Sequence, residues 1–288
     1  MINTRVSLTS LLLAGLLGAT VTGCAGNQEA GQQAGEQKPA AAPVDPKAAL
    51  ASSTSGLKAG NYAFTGSTPD TSSEGVMHFA SKSAAVKSTS RAKDAAGTFE
   101  LRYVDPDQYL KISMDTKEIT AGLADMDTSN PEMKKMVDGL RQMAEMFSGK
   151  YWMQMDRSKV TGREFNLDVS DGDITGLTEL LSKATVTKGD AKTITGTLDA
   201  TTIDDNDGMV DTDDIKAMGA AAKSLPYTAT LDEQGRLSDV TIDVPKAGDT
   251  PAGTWTFAVT GYGAQKAQQK PSGQIRKTPA SAYEMLNK

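Results

Sequence analysis

Thr98 to Val104 and Gln108 to Met114 alternate apolar and polar side chains with a period of two, and only Asp105-Pro106-Asp107 separates them. That period puts Phe99, Leu101 and Tyr103 on one side of the first stretch and Leu110, Ile112 and Met114 on one side of the second. A strand, whose successive side chains point to opposite faces, turns such a pattern into one buried and one wet face; a helix scatters it. Asp-Pro-Asp is turn chemistry, so the two stretches form a hairpin. A second hairpin joins Tyr227 to Leu231 with Arg236 to Val244 through Asp232-Glu233-Gln234-Gly235. Further strands are expected at Asn61 to Gly66, Gly75 to Ser81, Ala84 to Ser90, Tyr151 to Met155, Thr193 to Thr201 and Thr254 to Thr260. Antiparallel pairing dominates a chain of this kind.

Three helical patterns interrupt the strands. Pro131 suits a first helical position after Asn130, and Met133, Met136, Val137, Leu140, Met143, Ala144 and Phe147 follow at three- and four-residue spacing. Asp173 is placed to cap a helix carrying Ile174, Leu177, Leu180 and Leu181, and Asp211 or Thr212 one carrying Ile215, Met218 and Ala222. The fold class expected is α+β: a strongly curved antiparallel sheet with helices packed on one side.

The N-terminus has a different character. Arg5 precedes a mostly apolar run from Leu8 to Val21, and small residues lead to Cys24. This reads as a secretory signal over residues 1–23, because the run is too short and too often broken by Gly, Ser and Thr to span a bilayer. Val21-Thr22-Gly23-Cys24 resembles the bacterial lipobox, which implies a lipid-modified Cys24 and a chain held at the outer face of the cell membrane. Cys24 is the only cysteine, so the exported part has no intramolecular disulfide and its core alone must hold it. From Ala25 to Ala49 the chain is rich in Gln, Gly, Ala and Pro, and residues 24–49 read as a flexible tether. The remaining residues, 50–288, suffice for one domain, with a flexible tail from about residue 264. The formal net charge of −6 disfavours nucleic acid and anionic surfaces as partners.

Catalytic chemistry finds little to use. His78 is the only histidine and sits in the strand pattern Val76-Met77-His78-Phe79, where a histidine satisfied by its neighbours is the preferred reading. No nucleophile elbow, zinc-helix motif, P-loop or dinucleotide fingerprint is present. Paired-carboxylate catalysis has no positive support, so the expectation is a non-enzyme without cofactor or structural metal. The acidic run around Gly208 places Asp205, Asp207 and Asp214 at three positions of a calcium loop. Ile203 at its first position offers no side-chain oxygen, and a strand-to-helix turn with capping acids is preferred.

Eight of the 13 methionines lie between Met114 and Met155. An unbranched, polarizable thioether fills irregular or variably occupied apolar space, so this region is either a Met-rich core or the lining of a cavity. Several segments together resemble the LppX/LprG-type lipoproteins of actinobacterial envelopes: Cys24 with its tether, Tyr109-Leu110-Lys111, Tyr151-Trp152-Met153-Gln154-Met155-Asp156, Ile194-Thr195-Gly196-Thr197-Leu198-Asp199, Leu231-Asp232-Glu233-Gln234-Gly235-Arg236-Leu237, and Trp255 to Val259 leading into Gly261-Tyr262-Gly263. The general outline is also similar to the bacterial lipoprotein-carrier fold.

That resemblance implies a half-barrel sheet with helices on its concave side, enclosing an apolar cavity for the acyl chains of lipids or glycolipids. Its expected walls are Phe99, Leu101, Ile112, Met133, Met136, Leu140, Met143, Met153 and Met155. An envelope transporter or receiving protein is the expected protein partner. The alternative is the same fold with a filled core, serving as a surface interaction or signalling-associated module.

Overall fold

The computed structural model describes residues 44–92, 96–124, 126–161, 165–202, 212–247 and 252–287. Cys24, the signal and most of the tether lie outside them, as do Asp205 and Asp207; Asp214 falls in a helix whose side chain is outside the description. In chain order the elements are α1 (Pro46–Ser53), α2 (Ser55–Lys58), β1 (Asn61–Ser67), β2 (Thr71–His78), β3 (Ser83–Ser90), β4 (Gly97–Val104), β5 (Asp107–Met114), α3 (Lys117–Ala124) and α4 (Pro131–Met146). They continue with β6 (Trp152–Met155), α5 (Leu177–Ser182), β7 (Ala184–Gly189), β8 (Thr193–Leu198), α6 (Thr212–Met218), β9 (Leu225–Leu231), β10 (Leu237–Val244), β11 (Gly253–Thr260), β12 (Ile275–Lys277) and α7 (Ala280–Leu286).

All twelve strands join one open, curved sheet in the order β12-β6-β5-β4-β3-β2-β1-β11-β10-β9-β8-β7. Two meanders, β1 to β6 and β7 to β11, are sewn together where β11 pairs with β1, Phe64 opposite Val259. The sheet does not close, because its end strands β7 and β12 lie at opposite edges. Antiparallel pairing dominates, as expected, with one parallel pair at the edge: β12 runs parallel to β6, with Ile275 opposite Trp152.

Register aligns the apolar side of each strand on one inner face, and the helices pack there. The larger core gathers Tyr62, Phe64, Met77, Ile194, Leu198, Tyr227, Val240, Ile242, Trp255 and Phe257 from the strands with Leu57, Leu177, Leu180, Ile215 and Met218 from the helices. A second cluster joins Leu110, Ile112, Tyr151, Met153 and Met155 to Met146 of α4, Val160, and Ala282, Tyr283 and Leu286 of α7. Phe64 needs the glycine opposite it: a Cβ on Gly75 would stand 2.5 Å from its ring and 2.7 Å from the Ala85 carbonyl oxygen.

Several boundaries moved. α1 begins inside the expected tether, because the Asp45 carboxylate accepts the Lys47 N–H at 2.9 Å and Pro46 opens the helix. β2 starts at Thr71, earlier than apolar alternation suggests, since Ser67 to Asn61 of β1 provide a complete ladder for its polar half. Ile174 precedes rather than joins α5; the Asp173 carboxylate instead accepts N–H bonds from Thr175 and Thr178 at 2.9 Å each.

The largest correction concerns the tail from residue 264. It is not a loose end but a strap across the outer face. Gln265 N–H donates to Asn61 Oδ1 and Gln268 N–H to Ser83 Oγ, each at 2.8 Å. Arg102 donates to the Gln269 carbonyl, and Lys270 pairs with Asp107 at 3.0 Å. The strap covers Tyr109 and Trp152, both buried although they point away from the main core. Trp152 is packed beneath Arg102 and Lys111, whose cations lie 5.5 and 5.0 Å from its ring.

Candidate functional site: a half-open apolar row

The inner face of β2 to β6 is the part of the sheet where apolar residues are least uniformly covered. Register places Gly75, Val86, Leu101, Leu110 and Met153 in one straight row across five strands. A neighbouring row holds Ser88, Phe99 and Ile112. Leu110 and Met153 are 0% and 1% exposed, whereas Val86, Phe99, Leu101 and Met114 on the same face are only half-buried. Phe165 leans over this edge, its ring 6.1 Å from that of Phe99. Gln108, buried beside Phe165, uses its amide nitrogen on the Phe165 carbonyl and its oxygen on the Leu167 N–H, so the loop carrying Phe165 is pinned to β5.

α4 borders the row. The Asn130 side chain accepts the Glu132 N–H at 2.8 Å, and Pro131 opens the first turn. Its apolar stripe is not used evenly: Val137, Ala144 and Met146 are buried and Leu140, Met143 and Phe147 half-buried. Met133 and Met136 stand 38% and 47% exposed. Met133 and Met136 are thus the least covered part of the stripe.

Of the expected wall residues, Phe99, Leu101, Ile112, Met153 and Met155 are brought together on one face, all within or against the second cluster. Leu140 and Met143 lie half-buried on α4, while Met133 and Met136 are more exposed, at 38% and 47%. Spacing along a helix identifies a stripe but not where its cover ends. Val86, Met114, Phe147 and Phe165 complete the surround. Val86 was legible from the alternation of β3; Phe165, in an aperiodic loop, had no local signal. His78 caps a turn: the Ser81 N–H donates to its Nδ1 at 3.3 Å.

Two hollows open elsewhere on the surface. One, of about 430 Å³, lies on the outer face and is lined by Thr65, Ser67, Glu74, Lys87, Thr89 and Asp239 among others. The second, of about 320 Å³, lies between Val44, Ala49 and the turn after β9. Neither includes any expected wall residue.

No family model matches the chain, and no curated protein matches it. Among solved structures it is similar to a LolA superfamily protein from Nitrosomonas europaea at 10% identity, over 83% of this chain and 97% of that one, with a TM-score of 0.18. A likeness at that score carries no argument about function. The architecture itself is an open curved sheet with helices on one face.

Proposed function

We propose that this chain is a non-enzymatic, membrane-anchored lipoprotein that holds acyl chains of lipids or glycolipids on the inner face of β2 to β6. The observation that carries this reading is the half-buried apolar patch of Val86, Phe99 and Leu101, with Phe147 packed against the same cluster as Phe99 and Leu101. An acyl chain laid there leaves water and covers surface the protein leaves uncovered, each buried methylene contributing about 0.8 kcal/mol. The site offers area, not directed bonds, which suits a hydrocarbon better than a polar substrate.

Cys24, lipid-modified, would hold the domain at the outer face of the cell membrane. With α1 beginning at Pro46, roughly 20 residues separate it from Cys24, and a coil of that length would span about 25 Å. That reach lets the domain exchange ligand with the bilayer or with an envelope partner.

The interaction-module reading draws on the larger core, where Leu57, Tyr62, Met77, Ile194, Val240 and Ile242 are fully buried. Native mass spectrometry of the exported chain, purified as Cys24→Ser, separates the two. Copurified lipid masses, lost in Leu101→Gln, are expected for a carrier. A clean apo mass with no uptake of added lipid overturns it.

A further inference from the structure

The row from Gly75 to Met153 changes character midway, although it lies on one face of one sheet. Gly75, Val86 and Leu101 are half-open; Leu110 and Met153, the next two, are sealed. On the β6 side α7 carries Ala282, Tyr283 and Leu286 into the cluster of Leu110, Met153 and Met155, where Met146 of α4 and Val160 join it. The strap delivers it there: β12 pairs with β6, and the Thr278 hydroxyl donates to the Gln154 carbonyl at 2.8 Å before the chain turns inward. The polar ties of α7 and its cap reach the turn after β6. Asp156 N–H donates to Tyr283 Oη at 2.6 Å, Thr161 N–H to Asn287 Oδ1 at 2.8 Å, and Asn287 Nδ2 to the Lys159 carbonyl at 2.8 Å.

We propose that α7 is a stopper whose Tyr283 and Leu286 set the length of acyl chain that the row accepts. The inference rests on the acyl-binding reading above and adds what limits the ligand. A chain advancing from Val86 toward β6 gains affinity about fourfold for each methylene that leaves water. The gain ends where the chain meets Tyr283 and Leu286. Neighbouring strands lie about 4.8 Å apart, so the sealed steps to Leu110 and Met153 are worth roughly 10 Å of additional floor.

The test titrates the Cys24→Ser chain with a homologous series of straight-chain saturated fatty acids, in the parent and in Tyr283→Ala/Leu286→Ala. In the parent, affinity rises about fourfold per methylene to a limiting length and then levels off. In the double variant the limit moves to chains longer by about two methylenes or more, while shorter chains bind as before. Tyr283→Phe, which keeps the ring and loses only the bond from Asp156, leaves the limit where it was. An identical limit in parent and double variant overturns the stopper and leaves the acyl-binding reading standing. Failure of every chain length to bind the parent overturns both. Should circular dichroism show the double variant unfolded, Leu286→Val, one methylene smaller, decides alone: a limit that does not lengthen overturns the proposal.

Discussion

Tyr62 shows how a single buried polar atom ties distant parts of this chain together. Its hydroxyl donates to the Gly172 carbonyl at 3.2 Å and accepts the Ile174 N–H at 3.0 Å, joining β1 to the loop before α5. Burial, reinforced by the nearby Asp173 carboxylate, pushes its ionisation well above the ordinary tyrosine range. Below pH about 10 the hydroxyl is protonated in both folded and unfolded chains, and its contribution to stability is complete. Above that, the unfolded chain releases the proton while the folded one retains it. Urea unfolding measured between pH 8 and pH 12 should therefore show the Tyr62 contribution flat up to about pH 10 and falling above it by about 1.4 kcal/mol per pH unit. In Tyr62→Phe that increment of slope disappears. The variant also loses about 1–3 kcal/mol at pH 7, because a buried carbonyl and N–H are left unpaired. An unchanged slope would show that the hydroxyl is wet.

At the scale of elements, α4 and the strap are the informative cases. α4 has one apolar stripe but two environments, so equal substitutions along it should not cost equally. Met133→Gln and Met136→Gln are expected to change stability by less than about 0.5 kcal/mol, while Val137→Ala, in a fully covered position, costs about 1–2 kcal/mol. Equal losses at all three positions in chemical denaturation would mean that Met133 and Met136 are covered. For the strap, hydrogen-exchange mass spectrometry should find the peptide from Ala264 to Lys277 protected to a degree similar to β1 and β3, to which it is hydrogen-bonded. Exchange at the rate of a free peptide would return that segment to the status of a tail. Its composition gave no warning, since the bonds that hold it are backbone N–H groups meeting Asn61 and Ser83, far away in the chain.

The whole molecule has one sheet but two cores on it, and this division should be visible in its dynamics. The larger core spans β1, β2 and β8 to β11, with α2, α5 and α6 over it. The smaller depends on β5, β6, the end of α4 and the short helix α7. Fewer buried residues imply a lower opening free energy, so amides of β5, β6 and α7 should exchange through a sub-global opening before those of β9 to β11. A bound acyl chain at a hundred times its dissociation constant should raise the stability of that half by about 2.7 kcal/mol and slow its exchange selectively. A single cooperative exchange class for both halves would contradict two separable cores.

Most strands and the strongest helix were legible in the sequence, because Phe99-Leu101-Tyr103, Leu110-Ile112-Met114 and the α4 stripe carry their periodicity in adjacent residues. That Phe99 and Leu101, Leu110 and Ile112, and Met153 and Met155 each share one side of their strand was legible for the same reason. What only tertiary structure decided is where that face is covered. Met133 and Met136 share the pattern of Val137 yet stand 38% and 47% exposed, and Leu110 and Leu101, neighbours in the register, differ in cover: Leu110 is buried in the cluster that α7 joins, and Leu101 is half-buried at its margin. Periodicity records which side of an element is apolar, whereas cover depends on segments that arrive from the far end of the chain, through contacts that no local pattern encodes.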